Sequence, residues 1–373
     1  MYDVAIVGGG LAGLINSILL IRAGLKVILF EKKTFPFHRV CGEYISNEVI
    51  PFLENNDLYP SMFNPTSISE LELSAINGDT FVHRLDLGGF GISRFVYDHW
   101  LCEKADAAGV AVHQNTRVTK IEFLDNYHSI QTNIGSDPIF SKIVIGSQGK
   151  RSKLDQSLSR SFLSMKSPYV GVKYHIKADL PVDRISLHNF DGGYCGVSRI
   201  EDDKYNMCYL THRDQIRKHG GIPTFEKVVM TKNPQLRHIF NYSKFLFEKP
   251  EVINEITFEK KEPVLNHIFM CGDAAGMITP LCGNGMAMAI HSSKLLSNLI
   301  INAFNSDPFN REKLEANYTK AWTDEFAFRL WSGRKIQSLF GSGMSSQFGV
   351  LIGKYLKPVS RFLISQTHGK PFN

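Results

Sequence analysis

Three groups of residues in this chain have types and spacings suited to chemistry. Gly8-Gly9-Gly10-Leu11-Ala12-Gly13 reads G-x-G-x-x-G, and an acid, Glu31, follows 18 residues after Gly13. In such a loop the first glycine allows a tight turn. The second lets the backbone approach a diphosphate, and the third lets helix and strand pack closely. The helix N-terminus then offers N–H donors and a positive dipole to the phosphates, while the acid accepts from ribose hydroxyls. The second group is Cys271-Gly272-Asp273-Ala274-Ala275-Gly276, continued by Pro280-Leu281-Cys282-Gly283-Asn284-Gly285-Met286. So much glycine after the apolar run His267–Met270 implies a ligand lying directly against the backbone, with Asp273 the one acid at the strand's end. The third group is Arg39-Val40-Cys41-Gly42-Glu43, where a thiol sits among charged neighbours. The 13 histidines show no metal-ligand spacing, and no G-x-S-x-G occurs, so metal and hydrolase chemistry are set aside.

These groups need positioning elements, and the surrounding sequence supplies them. Tyr2–Val7 reads as a short buried strand, followed by an apolar helical run to Ala23 and by Gly24, which suits the left-handed residue that ends a helix. Lys26–Phe30 reads as a second buried strand, which completes a β-α-β unit. With a ribose-binding acid at its end, the unit calls for NAD or FAD rather than a 2′-phosphorylated dinucleotide. Ile268–Cys271 reads as another strand, and Met286–Leu299 as a helix. Four segments with period-two alternation, Tyr169–Ile176, Arg184–Phe190, Gly193–Ile200 and Lys204–Thr211, predict an antiparallel sheet. The stretch from Thr211 to about Phe247 reads as mainly helical.

The totals fit an ordinary globular protein of 373 residues, 43% hydrophobic and 21% charged. No apolar run reaches the roughly 18 residues of a membrane span, and the glycine-broken N-terminus does not read as a signal peptide. Six cysteines without a C-x-x-C pair predict a reduced, cytoplasmic protein. The charge is unevenly placed. Lys and Arg number 42 and Asp and Glu 36, yet residues 331–373 hold six bases and no acid, so residues 1–330 balance at 36 against 36. In that tail Phe348, Leu351, Ile352, Tyr355, Leu356, Val359, Phe362 and Leu363 follow helical spacing, with Lys354, Lys357 and Arg361 off the stripe. Two readings of the tail stand: an amphipathic helix at an anionic membrane surface, or an ordinary helix packed on the rest of the chain.

Taken together and in order, the motifs resemble the FAD-dependent oxidoreductases that share the para-hydroxybenzoate hydroxylase fold. That superfamily includes geranylgeranyl reductases, flavin halogenases and aromatic monooxygenases. The resemblance implies an α/β fold: a Rossmann-like FAD-binding domain over 1–65, 90–165 and 255–305, and an inserted antiparallel β-sheet substrate domain over 66–89 and 166–254. A helical C-terminal extension follows over 306–373. It implies an Asp273 contact to the flavin's ribityl chain, and it aims the Pro280–Met286 turn and helix at the isoalloxazine. Arg94, in the R-x-x-x-D-x-x-L pattern Arg94–Leu101, would contact FAD, although a surface helix with an Arg94–Asp98 pair also explains that pattern. Val118 would meet adenine through its backbone, with Lys32 and Arg39 in the same cofactor-binding set. In Ser141–Ser152, Gln148 replaces the acid of the usual G-A-D-G-x-x-S pattern, a departure at the place that organises the nicotinamide donor.

What the resemblance implies about activity branches. The halogenase branch carries a tryptophan-rich W-x-W-x-I-P segment, which Gly193–Arg199 lacks. Gly272-Asp273-Ala274-Ala275-Gly276 and Cys41-Gly42-Glu43 look more like the geranylgeranyl reductase branch, where Cys41 would pack against the ring or protonate a reduced double bond. A small buried cysteine with no chemistry is the competing reading. The expectation is a monooxygenase acting on a lipophilic or polyketide-like small molecule, with NADH or NADPH as electron donor. The alternatives are a reductase of carbon–carbon double bonds and a flavin-binding module without turnover. No nucleic-acid partner is expected.

Overall fold

The structure is a computed structural model that describes residues 1–164, 167–279, 283–337, 347, 350, 351, 353–355 and 369–373. Two sheets organise the chain. The first contains β1 (Tyr2–Val7), β2 (Val27–Phe30), β6 (Ala111–His113), β9 (Ile139–Gly146), β16 (Val264–Leu265) and β17 (Ile268–Met270) in the order β16-β17-β9-β1-β2-β6. The hairpin of β7 (Val118–Leu124) and β8 (Tyr127–Thr132) joins it through β9. The core strands β17, β9, β1, β2 and β6 pair in parallel. Parallel strands covered on both faces need continuous apolar runs, and β2 is accordingly buried at every position. α1 (Leu11–Arg22) makes the first crossover, and Gly24 beyond its end is left-handed at φ +86°.

The second sheet contains β3 (Tyr44–Ser46), β4 (Thr66–Ser74), β5 (Thr80–Gly91), β10 (Tyr169–Lys177), β11 (Arg184–Phe190), β12 (Gly193–Arg199), β13 (Tyr205–His212) and β14 (Lys244–Phe245). Its order is β14-β10-β13-β12-β11-β4-β5-β3, with β15 (Glu251–Ile256) also on β10. Among the described residues its one parallel pair is β4 with β11. The four alternating segments of the sequence are β10 to β13. β3 is a difference: it lies in the N-terminal segment but pairs with β5 in the second sheet.

The helices are α2 (Ile50–Asn55), α3 (Arg94–Ala107), α4 (Lys153–Ser157), α5 (Arg213–Lys218), α6 (Ile222–Val228), α7 (Pro234–Tyr242), α8 (Gly285–Phe304) and α9 (Arg311–Gln337). α6 and α7 bury Phe225, Leu236 and Ile239 against the second sheet. α8 packs along α1 through a polar seam: Ser293 Oγ donates to Ala12 O at 3.1 Å, and Ser297 Oγ to Asn16 Oδ1 at 2.8 Å. These contacts set α1 and α8 parallel, and the N-termini of both end on the same cavity. The C-terminal stripe falls largely outside the described residues, so neither reading of the tail is decided. Residues 369–373 have no regular structure, and Phe372 stacks on His291 with ring centres 4.0 Å apart.

Candidate cofactor and active site

A cavity of about 1010 Å³ lies between the two sheets. Gly8, Gly10, Leu11, Ala12, Glu31, Lys32, Arg39, Cys41, Arg94 and Val118 line it, as do Gly272, Asp273, Gly283, Asn284, Gly285 and Met286. Of the residues singled out from sequence, Gly13 is not on the wall and Pro280 lies outside the described residues. Gly13 stands behind the loop, where an added Cβ would sit 1.9 Å from Gly8 O and 2.6 Å from Ser147 Oγ. Gly8 has φ +110°, so it is the turn residue, and Gly10 faces open space except for Arg94 Nη2 at 3.4 Å from an added Cβ. Four helices start on the cavity wall, and two of them lack a side-chain cap: neither Gly10 before α1 nor Asn284 before α8 makes such a bond, whereas Ser93 caps α3 and Ser152 caps α4. Neither α1 nor α8 has an acid in its first turn. Helix N-termini of this kind direct backbone N–H groups at the cavity and suit anionic groups.

Glu31 holds the loop from below. Its carboxylate accepts from Gly9 N at 2.9 Å, Lys33 N at 3.0 Å and Arg39 Nη2 at 3.2 Å. Arg39 also donates to Gly9 O and to Asp98. The Arg94–Asp98 pair exists, as two hydrogen bonds of 2.6 and 2.7 Å, but it is buried on the cavity wall rather than at the surface. The pair is therefore not the surface pair of the second sequence reading: Asp98 fixes the guanidinium beside Gly10. Gln148 donates to Asp155 Oδ1 at 3.0 Å. Asp155 closes the capping box of α4 and pairs with the buried Arg160.

The segment Arg39–Glu43 crosses between the sheets without regular structure, and side chains far along the chain hold it carbonyl by carbonyl. Lys173 Nζ donates to Arg39 O at 3.1 Å, and Lys150 Nζ to Val40 O at 3.2 Å. Asn206 Nδ2 reaches both Cys41 O at 3.1 Å and Gly42 O at 2.8 Å. Glu43 closes the segment. It is fully buried, left-handed at φ +53°, and accepts from Lys173 Nζ at 2.5 Å, Arg94 N at 2.8 Å and His175 Nε2 at 2.7 Å. Burial alone would raise its carboxyl, yet the Lys173 ammonium and His175 hold it down at about 2. Burial, with the Lys173 charge close by, pushes His38 down to about 4, so the ring beside His175 is neutral near pH 7.

Lys150, Lys173, His175 and Asn206 are absent from the set drawn from sequence. The available signal was polar residues two apart, Lys173 and His175, inside the otherwise apolar strand β10.

A second clamp lies below Asp273. Lys261 Nζ donates to Lys150 O and to Asp273 O, each at 2.8 Å, which ties together two loops on the cavity wall. Burial pushes its ammonium down to about 8, with Asp273 opposing.

A family model described as an FAD binding domain matches residues 1–308. The chain belongs to that family. The flavoprotein is 25% identical over 344 residues to a digeranylgeranylglycerophospholipid reductase of Methanosarcina acetivorans, spanning 87% of this chain and 81% of the relative. Among solved structures, a geranylgeranyl bacteriochlorophyll reductase-like protein from Thermoplasma acidophilum superposes with a TM-score of 0.80 at 17% identity, covering 100% and 96% of the two chains. The flavin-dependent brominase Bmp2 gives 0.78 at 16% identity, covering 98% and 93%. The flavoprotein is thus an FAD-dependent oxidoreductase by family. Its uncapped helix ends fit the diphosphate and the electron-rich pyrimidine edge of a bound FAD. Among the described residues no helix is long and apolar enough to cross a membrane, and no cluster of His, Cys, Asp or Glu suits a metal.

Proposed function

We propose that this flavoprotein reduces a carbon–carbon double bond in a lipophilic molecule, with a nicotinamide dinucleotide as electron donor. The observation that carries this reading is the pinned segment 39–43, which holds Cys41 on the wall of the same cavity as a group of apolar side chains, here called the apolar arm. Leu71, Leu73, Phe81, Ile185 and Leu187 line that arm. Similarity to a lipid reductase along most of the chain supports the same choice over the monooxygenase expected first. When bound and reduced, FAD supplies a hydride equivalent. The chain's own residues do the rest. Arg94 and the Gly8–Gly13 loop would hold the ADP half, Asp273 would hold the ribityl chain, and the apolar arm would orient the alkene and exclude water. The Cys41 thiol gives its proton to the carbon next to the one that receives hydride, and solvent later restores that proton.

Two measurements test this reading. Asp273→Ala is expected to weaken FAD retention roughly 10- to 100-fold while the protein stays folded, because one charge-assisted hydrogen bond contributes about 1.5–3 kcal/mol. Unchanged flavin content would remove Asp273 from the cofactor site. For the reaction, the flavin is reduced anaerobically with NADH or NADPH and a prenyl lipid is added. Reoxidation without oxygen is expected, and Cys41→Ser is expected to keep FAD and flavin reduction while slowing that reoxidation at least 10-fold. Reoxidation only under oxygen, with heavy oxygen appearing in the product, would make the protein a monooxygenase instead.

A further inference from the structure

The register of the second sheet lays a single row of residues across the roof of the cavity. Cys208 on β13 pairs with Gly196 on β12, Gly196 with Leu187 on β11, Leu187 with Leu73 on β4, and Leu73 with Phe81 on β5. Directly paired residues point to the same face of a sheet, and all five line the cavity. At the Cys208 end the row continues to Lys173, the residue that clamps Arg39–Glu43. At the other end it stops at Phe81. Polarity falls along the row, from ammonium and thiol, across a glycine, to two leucines and an aromatic ring.

Gly353 stands behind that ring. It is buried, while its neighbours Leu351 and Tyr355 are exposed, and an added Cβ would lie 2.5 Å from Phe81 Cδ1. The ring therefore packs on the Gly353 backbone so closely that a side chain there would collide with it. Gly353 also lines the cavity.

We propose that Phe81, backed by Gly353, is the end stop of the apolar arm and sets the longest hydrocarbon chain the site accepts. The inference deepens the lipophilic-substrate reading and rests on it. Strands lie roughly 4.8 Å apart, so the four steps from Cys208 to Phe81 span roughly 19 Å. An extended chain with bonds near 1.5 Å gains roughly 1.3 Å per carbon, which leaves room for about fifteen carbons beyond the reacting end. A chain lying across the strands meets Gly196 first, where the missing side chain leaves depth. It then meets Leu187 and Leu73, and finally the face of Phe81.

The test uses the FAD-loaded protein and straight-chain saturated primary alcohols of increasing length, with perturbation of the flavin absorbance as the binding signal. Wild type is expected to bind progressively tighter with length, up to a limit beyond which affinity falls at least 10-fold. Phe81→Ala is expected to raise that limit by about three carbons, the reach of the lost ring at roughly 1.3 Å per carbon, with shorter alcohols bound within about twofold of wild type. Gly353→Ala is expected to lower the limit, because its methyl drives the ring inward. Should Phe81→Ala not load FAD, Phe81→Leu carries the same test with a smaller shift. Alcohol binding with a limit unmoved by these substitutions would overturn the end stop and leave the lipophilic reading standing. No binding of any alcohol to wild type would overturn both.

Discussion

Glu43→Gln should destabilise the folded protein by about 3–5 kcal/mol near pH 7, the usual cost of breaking a buried ion pair from one side. The carboxylate is fully buried, and among the described residues it is the charge partner of the Lys173 ammonium, which is itself fully buried. Glutamine keeps the shape and can still accept from Arg94 N, but it leaves the ammonium uncompensated in a low-dielectric site. The pH dependence gives an independent check. The folded carboxyl sits at about 2 against an ordinary value of 4.5. The unfolded chain therefore binds the extra proton first as acid is added, and the stabilisation is present above pH 4.5 and lost as pH falls through 2. Its full size is about 3 kcal/mol at 1.36 kcal/mol for each pH unit. Denaturant midpoints at pH 7 and pH 3 should differ less in Glu43→Gln than in wild type. A variant within 1 kcal/mol of wild type at pH 7, with an unchanged acid limb, would show that Glu43 does not hold the segment under Cys41.

The parts of the molecule legible in the sequence are those whose physics is local. The β-α-β unit announces itself because a parallel strand buried on both faces must be a continuous apolar run, and Val27–Phe30 is one. Gly8 and Gly272 are readable for a related reason: both have positive φ, where a side chain is strained. The four alternating segments gave β10 to β13 because each strand carries its own period. The clamp on Arg39–Glu43 had no such signal. Its donors come from Lys150, Lys173 and Asn206, more than 100 residues further along the chain. A lysine in an apolar strand does not say which carbonyl it will find. β3 escaped for want of length, since three residues hold no period. The apolar arm was invisible as a unit, because Phe81, Leu73, Leu187 and Gly353 become neighbours only through strand register and through packing of the C-terminal residues.

Gly13→Ala should abolish practical FAD retention, with a loss of at least 100-fold in affinity, although Gly13 does not line the cavity. Its Cβ would need the space held by Gly8 O, 1.9 Å away, and by Ser147 Oγ, 2.6 Å away. Neither neighbour can yield cheaply. Ser147 Oγ already donates to Gly8 O at 2.7 Å, and Ser147 N donates to Val7 O at 2.9 Å, so both belong to the joint between β1, β9 and α1. The helix must therefore lift away from the strand, and overpacking of this kind costs about 1–3 kcal/mol in stability. The larger consequence falls on the ligand. α1 begins at Leu11 with no side-chain cap, so its first N–H groups and Gly10 are what the chain presents to a diphosphate. A shift of the helix start misaligns those donors together, and each charge-assisted bond lost is worth about 1.5–3 kcal/mol. Two such bonds already exceed the 2.7 kcal/mol that corresponds to roughly 100-fold. The second sheet contains none of these contacts, so far-ultraviolet circular dichroism should change little while the purified variant is colourless. A yellow Gly13→Ala protein with wild-type FAD content would mean that the α1 end is not where the diphosphate binds.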